Sequence, residues 1–243
     1  MQSQSITHPG CVRAQNQDAL KIEELDRNRL VCVVCDGMGG ARSGNIASTL
    51  ASDVFAQEVA TIWKSGMDRR ETEEMLRRTV KLVNFTVYDQ AQQVEDFSGM
   101  GTTLVAVLLS GKEATVVNVG DSRAYLIQQD GIRQITRDHS LVQMMVDRGE
   151  LTAQQARSYP GKNLITRAIG TENTVQCDVF HLELERDQQL LLCTDGLSNL
   201  LDEQEILFEV LHGQDRTQCC QRLLDIALNR GAPDNVTCVL IQP

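Results

Sequence analysis

Apolar positions along the chain change period several times, and each change marks an element. Residues 29–35 form an almost unbroken apolar run rich in β-branched side chains, the pattern of a strand buried on both faces. A glycine-rich turn follows. From about Ser43, Ala47, Leu50, Ala51, Val54, Phe55 and Ile62 recur at helical spacing, with Gly66 as the expected stop. Leu76, Val80, Val83, Val87, Ala91 and Val94 mark one face of a second helix. Residues 102–109, 114–119, 123–127 and 132–136 then read as strands separated by turns such as Ser110-Gly111-Lys112 and Asp130-Gly131. A parallel crossover needs about a dozen residues, so strands joined this closely pair antiparallel.

The helical period returns at 140–148, ended by Gly149, and Thr152-x-x-Gln155 has the form of a capping box. Residues 159–163 are irregular and polar. Strands are expected at 176–184, 188–193 and 236–241. Helices are expected from Asp202-x-x-Glu205 to Gly213, and over 216–229 with Gly231 as the stop. An antiparallel β core with helices grouped in pairs is an α+β layered sandwich. No internal repeat or linker divides the chain, so one domain over 1–243 is expected, with a polar excursion at about 141–164.

Composition narrows the picture. The 243 residues carry 23 Lys and Arg against 33 Asp and Glu, a net charge of −10, which argues against a nucleic-acid backbone as partner. No apolar run approaches the ~20 residues of a membrane span. The opening Met-Gln-Ser-Gln-Ser lacks an export signal, so a cytoplasmic location with reduced cysteines is expected. Cys32-x-x-Cys35 has redox or zinc spacing, but it lies inside a strand-like run, where cysteine packs as a small hydrophobe.

The acids have a pattern of their own. Three apolar strands end in Asp36-Gly37, Gly120-Asp121 and Asp195-Gly196, while Asp234-Asn235 begins the last strand. If that strand runs antiparallel to its neighbours, all four acids meet at one edge of the core. Clustered carboxylates repel unless cations compensate. Oxygen ligands without a matching His or Cys set favour Mg²⁺ or Mn²⁺. A two-metal carboxylate site suits hydrolysis of a phosphate ester. The substrate phosphate then needs a cation of its own, and Arg13, in a short polar segment, offers a bidentate fork.

These residues carry a resemblance. Arg13-x-x-Asn16-Gln17-Asp18-Ala19, Asp36-Gly37-Met38-Gly39-Gly40, Gly101-Thr102-Thr103, Gly120-Asp121-Ser122-Arg123, Asp138-His139-Ser140, Thr166-Arg167-Ala168-Ile169-Gly170, Thr194-Asp195-Gly196-Leu197 and Asp234-Asn235-Val236-Thr237 resemble, in order and spacing, the motifs of the metal-dependent protein phosphatase 2C family in its compact bacterial form. The resemblance implies a four-layer αββα sandwich and a protein serine/threonine phosphatase using Mn²⁺ or Mg²⁺. It implies that Asp36 bridges two metals, that the Gly37 carbonyl binds one of them, and that Asp195 and Asp234 complete the first site. It implies that Asp121 with Asp195 holds a weaker third metal, that Arg13 clamps the phosphate, and that Asp18 acts through metal-bound water. Phosphorylated proteins are the implied substrates and a serine/threonine kinase the implied partner, with residues 141–164 as the family's flap.

Two departures stand out. The bacterial pattern has a histidine where this chain has Ala41, and the animal pattern has one where it has Met38; Gly44 is followed by Asn45 in place of glutamate. Without a general acid an alkoxide leaving group is disfavoured by roughly 10²–10⁴-fold, so an enzyme slow on alkyl phosphates is expected. His139 is another candidate acid, with a structural role favoured. The alternative is a catalytically weak or dead module on the same fold that binds a kinase or another signalling partner. A dinucleotide site, suggested by Gly37-x-Gly39, fails because Arg42 stands where a small residue is needed.

Overall fold

In this computed structural model the residues described are 1–39, 43–213 and 215–243, with the backbone alone for Arg216. Gly40, Ala41 and Arg42, on which part of the sequence reading rests, lie outside them.

Two antiparallel sheets stack face to face. One runs β1-β11-β10-β7-β8, with β1 at Gln2–His8, β7 at Arg123–Gln128, β8 at Gly131–Gln134, β10 at Gln189–Cys193 and β11 at Val236–Gln242. The other runs β2-β3-β5-β6-β9, with β2 at Asp18–Asp26, β3 at Arg29–Met38, β5 at Leu104–Ser110, β6 at Glu113–Val119 and β9 at Asp178–Glu183. A two-residue strand, β4 (Gly101–Thr102), pairs with the end of β3. Helices α1 (Gly44–Ile62) and α2 (Arg69–Gln93) cover the second sheet, and α6 (Glu203–His212) and α7 (Cys219–Asn229) cover the first. Short helices α3 (Leu141–Asp147) and α4 (Ala153–Arg157) form the excursion, and α5 (Asp195–Ser198) is one turn after β10.

The two-fold period of a strand explains the layers. In β3, Leu30, Cys32 and Val34 face the opposite sheet, while Val31, Val33 and Cys35 face α1 and α2. In β10, Leu190 and Leu192 enter the same central layer, while Leu191 and Cys193 meet α6 and α7. Both faces are covered, so these strands read as continuous apolar runs. Cys32 and Cys35 are three residues apart and therefore lie on opposite faces, where they cannot pair. Burial pushes both thiols up, and all eight cysteines are free.

Several boundaries differ from expectation. Helix α1 ends at Ile62, because Trp63 is extended (φ −63°, ψ 134°), and Gly66 falls in the turn beyond. The strand expected over 102–109 is broken at Thr103. Strand β8 stops at Gln134, and a 3₁₀ turn at Arg216–Gln218 precedes α7. Strands β1 and β2 carry no continuous apolar run and were not anticipated. In β2 only Leu20 and Ile22 lean on the central layer.

Leu192, fully buried between the sheets, tests this layering. Leu192→Ala should lower the free energy of unfolding by about 3 kcal/mol in urea, with an unchanged m-value. A loss under about 1 kcal/mol would contradict a tightly packed inter-sheet layer.

Candidate active site

The strands bring the predicted acids to one end of the sandwich. Strands β10 and β11 are antiparallel, with Cys193 opposite Cys238, so Asp195 leaves one strand beside the point where Asp234 enters the other. On the second sheet Asp18 is the direct cross-strand partner of Asp36. Like charges directly opposite oppose strand pairing, so other contacts must hold this register.

Those contacts grip the backbone. The Asp36 N–H donates to Thr103 Oγ1 at 2.9 Å, and its carbonyl accepts from the Thr103 N–H at 2.9 Å and from Thr102 Oγ1 at 2.8 Å. Thr103 Oγ1 also lies 2.7 Å from Ser122 Oγ, next to Asp121. The break between β4 and β5 is thus the place where a threonine turns inward to couple two acid-bearing segments. Gly37 donates its N–H to the Gln17 carbonyl at 3.0 Å. A Cβ on Gly37 would come within 2.1 Å of the Gly44 carbonyl oxygen, which explains why glycine follows Asp36. Gly120 has φ +107°, and a Cβ there would lie 2.6 Å from Thr103 Cγ2.

The side chains are held separately. Asp18 is 9% exposed; its Oδ2 accepts from Thr194 Oγ1 at 2.9 Å, while its buried Oδ1 has no hydrogen-bond partner. Asp195 Oδ2 accepts from Asn199 Nδ2 at 2.9 Å. Asp234 Oδ2 accepts from Arg13 Nη2 at 2.8 Å, so the arginine singled out from the sequence touches one of the acids. Burial, followed by the charge of Asp195, pushes Asp18 and Asp121 up to about 7. Burial and then the charge of Asp18 hold Asp36 well above the carboxylate range, and burial and then Asp234 raise Asp195.

His139 is 7% exposed, and both its ring nitrogens are engaged. Nδ1 accepts the Gly120 N–H at 3.1 Å, which places the proton on Nε2, 3.3 Å from Asp178 Oδ2. This is a structural histidine, as the sequence reading favoured. Arg123 forks onto Asp138, with Nε 3.0 Å from both carboxylate oxygens.

A groove of about 470 Å³ runs from Asp121 and Asp195 between α3, α4 and the start of α6, with Val142, Ala156, Lys162 and Leu201 in its walls. The excursion closes at its base, where the Leu141 N–H donates to the Leu164 carbonyl at 2.8 Å and the Thr166 N–H to the His139 carbonyl at 2.7 Å. A second cavity, of about 200 Å³, is lined by Trp63, Met67 and Leu108 and has none of these acids in its wall.

Among the described residues, no group of three or more His, Cys, Asp or Glu side chains is already assembled as a metal-ion site. Protein donors take oxygens of Asp18, Asp195 and Asp234, so the acids are neighbours without converging on one point. The donor set nevertheless fits divalent cations. It is all oxygen and self-repelling, and it includes a buried carboxylate oxygen, Asp18 Oδ1, that no protein donor satisfies.

An αββα sandwich with aspartates gathered at one end defines a recognisable class. The chain matches the protein phosphatase 2C family over residues 12–225 and belongs to that family. It is 35% identical to serine/threonine phosphatase stp of Listeria monocytogenes, over 100% of this chain and 96% of that protein. Serine/threonine phosphatase Stp1 of Staphylococcus aureus superposes with a TM-score of 0.93 at 35% identity, covering 99% of this chain and 94% of the other. The serine/threonine phosphatase PstP/Ppp of Mycobacterium tuberculosis gives 0.87 at 33%, covering 98% and 97%.

The raised carboxylates fix a sign for metal-free protein in EDTA. Asp18 titrates near 7 folded and near 3.8 unfolded, so between those values the folded state holds the extra proton. Its contribution to stability therefore falls as pH rises through that window. Asp18→Asn should be stabilising in EDTA, with an advantage over wild type that grows as pH rises from about 4 towards 7, read from unfolding midpoints. An advantage that shrinks with rising pH would contradict the assignment.

Proposed function

We propose that this protein is a metal-dependent protein serine/threonine phosphatase that removes phosphate from phosphoserine and phosphothreonine in proteins, opposing a serine/threonine kinase. The observation that carries this reading is the meeting of Asp18, Asp36, Asp121, Asp195 and Asp234 at one end of the sandwich with Arg13 paired to Asp234. The family membership and the serine/threonine phosphatases it resembles support it. In this reading residues 1–243 are one catalytic domain, with 141–164 as its flap.

Asp36 and the Gly37 carbonyl, with Asp195 and Asp234, would hold two Mn²⁺ or Mg²⁺ ions, and Asp121 with Asp195 a weaker third. When bound, such ions supply positive charge to the phosphate oxygens and acidify the attacking water. Arg13, with a side chain 54% exposed, binds two phosphate oxygens through its planar fork once it leaves Asp234. Asp18 Oδ1 accepts a hydrogen bond from the attacking water and orients it. The groove beside Asp121 and Asp195 receives the peptide on either side of the phosphorylated residue.

The leaving oxygen has no protein acid in this reading. Met38 lies at the end of β3 opposite Gly101, and His139 has both nitrogens committed. Aryl phosphates, whose leaving groups need no proton, are therefore the better substrates. Eight free thiols support a reducing compartment such as the cytoplasm. Among the described residues no helix is long and apolar enough to cross a membrane.

With Mn²⁺ the protein should hydrolyse para-nitrophenyl phosphate and phosphothreonine peptides, and EDTA should abolish both activities. The peptide rate should be lower by roughly 10²-fold; equal rates would sink the missing-acid argument. Asp36→Asn and Asp234→Asn should each cost at least about 10³-fold while the fold survives by circular dichroism, and should remove the rise in melting temperature that Mn²⁺ gives to wild type. Absence of any Mn²⁺-dependent turnover would favour the kinase-binding module instead.

A further inference from the structure

Asn235 is only 4% exposed, and its side chain spends every polar group on one loop. Oδ1 accepts the Gln17 N–H at 2.8 Å, and Nδ2 donates to the carbonyls of Pro9 at 2.9 Å and Gln15 at 3.0 Å. Its own N–H donates to Asp234 Oδ1 at 2.9 Å. Residues 9–17 have no helix or strand and carry Arg13 near their middle. One amide therefore bonds both feet of the loop that presents Arg13, from the residue after Arg13's ion-pair partner, while the Gly37 N–H and Ser48 Oγ also hold the Gln17 carbonyl, at 3.0 and 2.6 Å. Between the feet, the Cys11 N–H donates to the Ala232 carbonyl at 2.8 Å and Asn16 Nδ2 donates to Thr7 Oγ1 at 2.8 Å, while Val12 is 71% exposed.

We infer that Asn235 is a positioning residue for phosphate binding: it fixes the loop of residues 9–17 so that Arg13 stands over the acid cluster, without touching substrate itself. The inference rests on the reading of Arg13 as the phosphate clamp. A buried primary amide suits this task because it can accept from one backbone group and donate to two others at once. Replacing the donors while keeping the acceptor leaves two carbonyls unpaired at a buried place, which frees the loop.

Asn235→Asp keeps the shape and the bond from Gln17 but cannot donate to Pro9 or Gln15. Asn235→Ala adds no charge and is run beside it as a second variant. Each should raise KM for para-nitrophenyl phosphate about tenfold. In Asn235→Ala, Mn²⁺ affinity measured by calorimetry should stay within about twofold of wild type. Amide exchange of residues 9–17 should accelerate while β10 and β11 stay protected. In an Arg13→Ala background neither Asn235 variant should raise KM further. An unchanged KM and exchange pattern in folded Asn235→Ala would overturn the inference. So would full additivity with Arg13→Ala, or a loss of Mn²⁺ affinity that accounts for the whole effect. Arg13→Ala with an unchanged KM would overturn the reading of Arg13 and this inference with it, whereas an Arg13 defect to which Asn235 adds in full overturns this inference alone.

Discussion

Repulsion among carboxylates is the constraint that the rest of this structure answers. Asp36 sits opposite Asp18 in the sheet and within electrostatic reach of Asp121, Asp195 and Asp234, while Arg13 is the one cation among the described residues in a direct ion pair with any of the five. Neutralisation by protein charge is therefore not how the cluster is held. Thr102 and Thr103 hold the Asp36 backbone, Thr194 holds Asp18, and Asn199 holds Asp195. Uncharged donors beside the ends of buried strands keep the acids in place while leaving the local charge uncompensated. The rigidity comes from the inter-sheet layer and the electrostatic demand from the edge, and the two are separate parts of the fold.

The legible parts of this architecture are those where hydrophobic period and local chemistry agree. The runs that become β3, β6 and β10 are mostly apolar because both faces are buried, and an acid stands at or just beyond the end of each, so the gathering of those acids could be read from the chain. Asp18 was legible only by resemblance, while Arg13 stood as one candidate cation until the resemblance placed it in a motif. Strands β1 and β2 are half polar, and their existence depends on β11 and β3 offering an edge, which no local window contains. Thr103 reads as one more β-branched strand residue, and its turn toward Asp36 is a tertiary event. Asn235 reads as turn chemistry next to an aspartate, and its three bonds reach residues more than 200 positions away in the chain.

The two sides of the groove differ in how they are built. On the side of Asp121 and Asp195 every segment belongs to, or is bonded into, a buried sheet. Across from it, α3 and α4 contain no buried residue, and Leu164 at the close of the excursion is 57% exposed. Few apolar contacts mean a low cost of local opening. If the groove receives the peptide as proposed, chemistry on a rigid floor and contact on a soft wall can vary independently, and substitutions in 141–164 would alter which peptides fit with little effect on the acid cluster.

The pairing of β1 with β11, His8 opposite Val236 and Gln2 opposite Gln242, sets an order in time. A chain made from its N-terminus emits β1, Arg13 and Asp18 more than 200 residues before β11. Until β11 arrives, the first strand has no neighbour, the Arg13 loop has no amide to hold it, and Asp234 is missing from the cluster. Closing a contact across most of the chain is also the slow kind of folding step. The site thus comes into being only once β11 has been made, as a single event rather than piece by piece.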